Sequence, residues 1–214
     1  MIEAQMNILI IGASRGIGRV LLEEALKEDH RLRVLARNPE KVTINDPRLS
    51  VVQGDVRDRE SVLGAAQGQD LVCSCIGVPI TFNKVDLFSI GAANLIAAAK
   101  ANPGQKLIAV TGIGAGDSRG HGGFLYDKIF QPLLLSTIYA DKDIEEQIIK
   151  ASDVPWLIVR PAGLTNGPRT GTYRILTDLR GVTAKRISRR DVADFILGQA
   201  ANPTQFGKTP LLTY

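Results

Sequence analysis

The chain has 214 residues, of which 44% are hydrophobic, so it can bury the core of one ordinary domain. Its two cysteines exclude a disulfide scaffold, and with only two histidines beside them we expect no metal site. The net charge of +4 comes from scattered basic residues, which suits an anionic small ligand and gives little support to a nucleic-acid partner.

Short apolar runs alternate with longer amphipathic stretches along the chain. The apolar runs predict strands at 7–12, 31–36, 49–53, 70–76, 106–111, 154–160 and 210–213. The amphipathic stretches predict helices at 16–28, 59–66, 86–101 and 188–201, and a mostly helical segment at 124–152. This alternation favours a doubly wound parallel sheet with helices on both faces, so we expect a single α/β domain over residues 1–214.

Two long connections interrupt the alternation. The segment 112–123 contains six glycines, and we expect it to be a mobile loop at the carboxyl end of the fifth strand. The stretch 161–184 is predicted to be irregular, and we expect 112–139 and 161–184 to be the substrate loops. Beyond them, Ser188 and Asp191 have the spacing of a capping box at the start of the last helix.

The first strand leads directly into a glycine-rich loop and then into a helix. Between Gly12 and Gly18 the loop contains Ala13, Ser14, Arg15, Gly16 and Ile17. Gly12 permits a tight turn, Gly16 lets the backbone approach a pyrophosphate, and Gly18 lets the helix pack closely on the strand. The helix N-terminus then offers free N–H groups to the anion, which predicts a Rossmann-like dinucleotide site. A glycine-rich turn without a ligand is the alternative.

The end of the second strand predicts which dinucleotide binds. An NAD-preferring site usually has Asp or Glu there to bind the ribose 2′-hydroxyl. Here the strand ends in Leu35-Ala36-Arg37, without an acid. Arg37, together with Arg15 in the first loop, can instead pair with a 2′-phosphate, so we predict NADP(H) as the cofactor. The alternative is that both arginines are solvated surface residues.

Small or polar residues close the other strands at the same edge of the sheet. Asp55 and Val56 follow the third strand, Ile76 and Gly77 close the fourth, and Thr111 closes the fifth. We expect the first pair to lie at the adenine and the second pair at the adenosine ribose. Thr111 is expected to lie nearest the nicotinamide. Each position also has a structural interpretation: Asp55 as a helix cap, Gly77 as a turn and Thr111 as a hydroxyl at the edge of the core.

The glycine spacing, the pair Gly54-Asp55 and the segment Val159-Arg160-Pro161 resemble the short-chain dehydrogenase/reductase superfamily. Typical members have a Tyr four residues before a Lys, whose ammonium lowers the tyrosine pKa for proton exchange with an alcohol. None of the four tyrosines here has a Lys at that spacing. We therefore expect the usual proton-transfer pair to be absent.

A narrower resemblance is to the atypical members grouped with biliverdin-IXβ reductase, also known as flavin reductase. It runs the whole length and is most specific in Gly68-Gln-Asp70, Gly167-Pro-Arg-Thr-Gly-Thr-Tyr173, Arg180-Gly181 and Ile187-Ser-Arg-Arg-Asp191. The resemblance implies a single nucleotide-binding domain that uses NADPH to reduce flavins and linear tetrapyrroles. It implies cofactor contacts at Gly12, Ser14, Arg15, Gly16, Ile17, Gly18, Arg37, Asp55, Val56, Ile76, Gly77, Thr111, Pro161, Ala162, Gly163 and Leu164. To these we add Gly112 and Lys142 as candidate cofactor contacts.

Two departures from that family bear on the substrate. The family's tetrapyrrole reductase has a Ser after the fifth-strand Thr, where this chain has Gly112, and a His after the sixth strand, where it has Gly163. Flavins and quinones are less affected by these losses, because such electron-poor acceptors take hydride directly and a proton from water.

Thr111 and Lys142 are the candidate catalytic residues. Lys142 could bind the nicotinamide ribose or polarise the acceptor. The alternative is an exposed helical lysine beside Glu145 and Glu146. His121 lies in the glycine-rich loop, where we expect it to be exposed rather than to donate a proton.

The leading interpretation is an NADPH-dependent reductase of a small conjugated acceptor of the flavin, quinone or tetrapyrrole type. The alternative is an NADP(H)-binding redox sensor or scaffold without turnover. An epimerase or dehydratase is disfavoured, because the usual pair of a tyrosine and a lysine is missing. The sequence has no signal-peptide pattern and no apolar run of about 18 residues, so we expect a cytoplasmic protein without a membrane partner. We expect a monomer or a weak dimer.

Overall fold

Residues 5–214 are described by a computed structural model. Its central strand is β1 (Asn7–Ile11). Ile8 and Ile10 belong to the core on one face of the sheet and Leu9 and Ile11 to the core on the other, because successive side chains of a strand point to opposite faces. All four are buried, so β1 is covered on both sides, as a continuous apolar run predicts.

Nine further strands occur in residues 5–214. They are β2 (Arg31–Ala36), β3 (Leu49–Gln53), β4 (Leu71–Ser74), β5 (Lys106–Val110), β6 (Trp156–Pro161), β7 (Gly163–Thr165), β8 (Arg174–Leu176), β9 (Arg186–Ser188) and β10 (Leu211–Thr213). The large sheet has the order β3-β2-β1-β4-β5-β6-β10-β8, and its last strand, β8, runs antiparallel to β10. The short strands β7 and β9 form a separate parallel pair.

The same residues form six α-helices. They are α1 (Gly16–Ala25), α2 (Arg59–Ala66), α3 (Leu87–Ala101), α4 (Gln131–Leu134), α5 (Ser136–Lys150) and α6 (Arg189–Ala201). One face of the sheet carries α1 and α6, and the other carries α2, α3 and α5. The expected single α/β domain, doubly wound with helices on both faces, is confirmed. Within the described part of the chain, no helix is long and apolar enough to cross a membrane.

The chain reverses its direction across the sheet between β1 and β4. From β1 the chain proceeds through β2 to β3 at one edge, and β4 then pairs with the other side of β1. The loops that leave β1 and β4 therefore diverge toward opposite faces of the sheet. Such a switch point opens a crevice at the carboxyl ends of the strands, which is where open α/β sheets bind their ligands.

Several elements are shorter than predicted, and three short strands were not predicted. Helix α1 ends at Ala25 instead of residue 28, and β4 covers 71–74 instead of 70–76. The stretch 161–184, predicted to be irregular, contains β7 and β8, and β9 begins two residues beyond it. A strand of three residues carries too little alternation to be recognised from sequence.

Helix α6 is capped by Ser188, as predicted, but the capping box is incomplete. The Ser188 hydroxyl accepts a hydrogen bond from the N–H of Asp191 at 2.9 Å. The N–H of Ser188 donates instead to the Tyr214 hydroxyl at 3.0 Å, because the Asp191 carboxylate has other partners. That carboxylate accepts from the N–H of Thr170 and from the hydroxyl of Tyr214, so it ties a loop and the last residue to α6.

Candidate functional site

A cleft of about 1600 Å³ lies at the carboxyl edge of the large sheet, at the switch point between β1 and β4. Its walls come from the loops that follow the parallel strands β1 to β6 and from residues of the helices α1, α3 and α5. With one exception, Gly18, the cleft is lined by every site residue predicted from the sequence. These are Gly12, Ser14, Arg15, Gly16, Ile17, Arg37, Asp55, Val56, Ile76, Gly77, Thr111, Gly112, Lys142, Pro161, Ala162, Gly163 and Leu164.

The three loop glycines differ in what surrounds them. Gly12 has a φ of +92°, and a Cβ there would lie 2.5 Å from the carbonyl oxygen of Cys75. Gly18 lies behind the loop, where a Cβ would collide with the carbonyl oxygen of Gly12. Gly16 has a φ of +64°, and a Cβ there would meet nothing within 4 Å, so its backbone is open to the cleft. Gly12 and Gly18 therefore make the tight turn and the close helix packing that the sequence predicted.

Helix α1 begins at this loop with its first N–H groups free of side-chain caps. Arg15 at the N-cap makes no side-chain hydrogen bond to the helix, and the first turn contains no acid. The N–H groups of a first turn have no acceptor within the helix, and the helix dipole is positive at this end. The loop and the helix end together fit the diphosphate of a dinucleotide.

Two arginines stand at the edge of the cleft without carboxylate partners. Arg15 and Arg37 are exposed, and neither forms an ion pair with any residue in 5–214. Arg57 also lines the cleft, but its guanidinium binds Asp86 at 2.8 Å. The two arginines predicted to recognise a phosphate therefore have guanidinium groups available for one.

The loop after β3 is held in place by a buried amide. The Nδ2 of Asn94 on α3 donates to the carbonyl oxygen of Val56 at 2.8 Å. Asp55 accepts a hydrogen bond from the N–H of Arg57 and lines the cleft. The cap of α2 is Asp58, whose carboxylate accepts from the N–H groups at the helix start. The interpretation of Asp55 as a helix cap is thus wrong.

Thr111 closes the deep end of the cleft and belongs to a buried charge network. Its hydroxyl donates to Glu146 at 2.9 Å. Arg160 at the end of β6 is completely buried and binds the same carboxylate through Nε at 2.9 Å and Nη2 at 2.5 Å. Burial alone would raise the pKa of Glu146, but the hydrogen bonds and positive charges of Arg160 and Lys150 together lower the pKa below its ordinary value. Thr111 is thereby fixed by a permanent carboxylate.

Lys142 is buried in the floor of the cleft and is 6% exposed. Its Nζ donates to the carbonyl oxygen of Val110 at 3.3 Å and lies 4.2 Å from the centroid of the Phe88 ring. Phe88 is itself held by α5, because its N–H donates to the carboxylate of Asp141 at 2.8 Å. The interpretation of Lys142 as an exposed helical lysine is therefore wrong.

Glu145 lies beside Lys142 and shares its burial. The carboxylate oxygen Oε2 of Glu145 has no hydrogen-bond partner within residues 5–214 and stands 3.9 Å from Nζ of Lys142. Burial lowers the pKa of Lys142, while the carboxylates of Glu145 and Glu146 oppose that shift. Burial likewise raises the pKa of Glu145 to about 7. The pair is therefore sensitive to pH near neutrality.

Two tyrosines meet beside Gly112, and sequence reasoning missed both. Tyr139 precedes Lys142 by three residues rather than four, and both line the cleft from α5. The hydroxyl of Tyr126 donates to the carbonyl oxygen of Ile113 at 2.8 Å and lies 2.9 Å from the hydroxyl of Tyr139. Since a carbonyl only accepts and a hydroxyl has one proton, Tyr139 donates to Tyr126. Spacings of both three and four before a lysine would have found Tyr139.

Tyr139 is not activated as a base. Burial raises its pKa well above the ordinary value, and Tyr126 and Asp143 raise it further. A tyrosine that exchanges a proton with an alcohol needs the opposite shift. The geometry is therefore consistent with the expected absence of the usual proton-transfer pair.

The glycine-rich segment 112–123 is tied down at several points. Gly116 donates its N–H to Asp143 at 2.7 Å, and Asp117 accepts from Arg160 at 2.5 Å. His121, which we expected to be exposed, is half-buried, with Nδ1 lying 2.8 Å from the carbonyl oxygen of Val182. This contact joins the two predicted substrate loops, 112–139 and 161–184. Mobility of the segment stays a prediction.

A second cavity of about 510 Å³ adjoins the cleft. It shares Ile113, Tyr126 and Gly163 with the cleft, and its other lining residues are Gly122, Gly123, Phe124, Leu125, Phe130, Ala184 and Lys185. All of these residues except Lys185 come from the two predicted substrate loops, and Lys185 directly follows the second loop. The first loop contains a turn of π-helix at Tyr126–Phe130. At Gly163 a Cβ would lie 3.0 Å from the carbonyl oxygen of Lys185, because β7 and β9 pair closely there.

A family model and a curated relative each match most of the chain. The model of a family described as NAD(P)H-binding matches residues 12–203. The chain is 30% identical to the "Uncharacterized sugar epimerase YhfK" of Bacillus subtilis, over 90% of this chain and 86% of that protein.

Solved structures show the same fold. The anaerobilin reductase ChuY of Escherichia coli O157:H7 aligns with a TM-score of 0.81 and 24% identity, over 97% of this chain and 96% of that one. A Rossmann-fold NAD(P)-binding family protein of Shigella flexneri aligns with a TM-score of 0.74 and 26% identity, over 98% and 94%. The family model spans most of the chain and includes the loop at Gly12, so this chain belongs to the NAD(P)H-binding family.

Proposed function

We propose that the protein is an NADPH-dependent reductase that delivers hydride to a small conjugated acceptor. The observation that carries this proposal is the junction of the two cavities. The cleft suits a dinucleotide, and the second cavity meets it at Ile113, Tyr126 and Gly163, next to Thr111 and Gly112. An acceptor in the second cavity would lie against one end of a dinucleotide in the cleft, which is the arrangement that hydride transfer needs.

The residues of the cleft favour NADPH over NADH. The open backbone at Gly16 and the free N-terminus of α1 would bind the diphosphate. Arg15 and Arg37 would bind the 2′-phosphate, which explains why β2 ends without an acid. When bound, NADPH supplies the hydride, and the protein supplies position and electrostatics.

The side chains beside the junction suit an acceptor that needs no activated base. Tyr139 keeps its proton, which disfavours alcohol oxidation or epimerisation through a tyrosinate. A conjugated acceptor takes hydride at an electron-poor atom, and the resulting anion takes a proton from water or from the ammonium of Lys142. Thr111, which is fixed by Glu146, and Lys142 would then form the rigid end of the cleft at which hydride transfer takes place.

An assay of NADPH oxidation tests this function. Absorbance at the reduced nicotinamide band would be followed with FMN, a benzoquinone and biliverdin, with NADH as the control. We expect steady oxidation of NADPH with at least one acceptor, and much slower oxidation of NADH at equal concentration. Tight NADPH binding with no oxidation above the blank for any acceptor would instead favour a sensor or scaffold, for which the second cavity has no evident use.

A further inference from the structure

The second cavity has an almost uncharged lining. Among the residues that line it, Lys185 is the one with a charged side chain, and Tyr126 is the one other with a polar side chain. The Tyr126 hydroxyl already binds the carbonyl oxygen of Ile113 and Tyr139. The remaining lining is aliphatic, aromatic or glycine backbone. The cavity therefore favours a flat apolar ring over a molecule with several acidic groups.

The apolar lining continues out of the cavity onto the surface. Phe124, Leu125 and Phe130 line the cavity and are 76%, 62% and 50% exposed, respectively. Ile129 and Leu133 on the same segment are also exposed. We call these five residues the apolar rim. Clustered exposed side chains of this size mark binding surfaces in soluble proteins more often than isolated ones do.

The segment that carries the rim is anchored to the site. Gln131 is buried, and its Nε2 donates to the carbonyl oxygen of Gly114 at 2.8 Å. Tyr126 is fixed by Ile113, as described above. The rim is thus presented from fixed points beside the cleft, and a ligand that fills the cavity can extend over it without leaving the apolar surface.

These features distinguish between the acceptor types that the sequence left open. FMN carries a phosphate and a polyol, and a linear tetrapyrrole carries two carboxylates, whereas the cavity offers one cation, Lys185. We propose, resting on the proposed function, that the acceptor is a quinone with a hydrocarbon side chain, its ring in the second cavity and its chain on the apolar rim. The quinone would take the hydride from NADPH and one proton from water or Lys142, which yields the quinol and NADP⁺.

A comparison of two quinones tests this inference. A dimethoxy-methyl-benzoquinone and its decyl derivative have the same reacting ring and differ in the chain. Burial of two or more methylenes on the rim gives about tenfold or greater tightening. We therefore expect the decyl quinone to have at least about a tenfold higher kcat/KM, through KM, and a correspondingly lower Kd for the NADP⁺-loaded protein by calorimetry.

The variant Ile129→Ser/Leu133→Ser changes two rim residues that line neither cavity. It should lose most of the advantage of the decyl quinone while it keeps the rate with the short quinone. The matched control is Phe82→Ser, because Phe82 is likewise an exposed apolar residue that lines neither cavity, but it is not part of the rim. We expect the control to keep the full advantage.

Equal kcat/KM and equal Kd for the two quinones, or a higher kcat/KM for FMN than for the decyl quinone, would overturn the inference while the reductase function stands. If no acceptor is reduced, the reductase proposal fails, and the calorimetric comparison alone decides what the cavity binds. A Phe82→Ser variant that loses as much as the double variant would also overturn the role of the rim.

Discussion

The carboxylate oxygen Oε2 of Glu145 lies 3.9 Å from the ammonium nitrogen of Lys142, in the floor of the cleft. Glu145 is 2% exposed and Lys142 is 6% exposed, so water screens this pair poorly. Each charge opposes the effect of burial on the other. The charge state of the cleft floor therefore depends on both residues together.

Glu145→Gln should change how stability depends on pH. Burial raises the pKa of Glu145 in the folded protein from 4.5 to about 7, so its contribution to stability is fully present below pH 4.5 and is lost as the pH rises to 7. In the variant residue 145 no longer titrates, so this loss of stability is absent. Lys142, without the neighbouring carboxylate, also loses its proton more easily. We expect the free energy of unfolding of the variant, relative to the wild type, to rise by about 2 kcal/mol between pH 4.5 and 7.5. Urea denaturation at several pH values measures it, and a difference that does not vary with pH would contradict this account.

Arg37→Ala should weaken NADPH binding selectively. A charge-assisted contact to a phosphate is worth about 1.5–3 kcal/mol, so we expect the Kd for NADPH to rise about tenfold to a hundredfold. The Kd for NADH should change by less than about twofold, since the 2′-phosphate is absent. Arg57→Ala is the control, because Arg57 lines the cleft but is already paired with Asp86. An equal effect of Arg37→Ala on both dinucleotides would argue against phosphate recognition.

Arg160→Met should destabilise the fold severely. It leaves the buried carboxylate of Glu146 without its main partner, and breaking a buried pair costs about 3–5 kcal/mol. Arg180→Met should cost less than about 1 kcal/mol, because the pair between Arg180 and Asp178 is exposed. Chemical denaturation of both variants provides the test, and similar losses in the two would show that burial of Arg160 is not what matters.

Gly18→Ala and Gly64→Ala should have opposite effects although both glycines lie in helices. A Cβ at Gly18 would collide with the carbonyl oxygen of Gly12, whereas a Cβ at the exposed Gly64 would meet nothing within 4 Å. We expect Gly64→Ala to stabilise the protein by up to about 1 kcal/mol, since alanine is the better helix former. Gly18→Ala should lower Tm by several degrees. Tolerance of Gly18→Ala without loss would contradict the close packing of α1 on the loop at Gly12.

Tyr139→Phe separates the proposed reductase from an enzyme with a tyrosine base. Since Tyr139 donates its proton to Tyr126 and has a raised pKa, its removal should lower kcat with the acceptor by less than about tenfold. Lys142→Met should have the larger effect, because Lys142 lies in the cleft floor with its ammonium near the reacting end. A loss of a thousandfold or more in Tyr139→Phe would assign proton transfer to Tyr139 and contradict our mechanism.

The part of the molecule that could be predicted from the sequence is the part in which neighbouring residues alone determine the local structure. The strand, the glycine loop and the start of helix α1 form where expected, because burial on both faces and close backbone contacts leave few alternatives at these residues. The ends of β2 to β6 lie at one edge for the same reason, since parallel strands place their carboxyl ends together.

The second cavity could not be predicted in this way. Its walls combine Ile113 and Phe124 with Lys185 from a distant part of the chain, and no periodic pattern brings them together. Strands β7 and β9 are too short to stand out from the loop around them. Tyr139 escapes prediction for a different reason: the typical pattern has the tyrosine four residues before a lysine, while a helix places residues three apart on the same face as well.

Titration of the purified protein with NADPH and with NADH tests the central claim most directly. The claim is that the loop at Gly12 binds a diphosphate and that Arg37 recognises the additional phosphate. Calorimetry should show a complex with NADPH and a Kd for NADH that is at least about tenfold higher. Equal affinities would contradict the role of Arg37, and no binding of either dinucleotide at millimolar concentration would contradict the whole account.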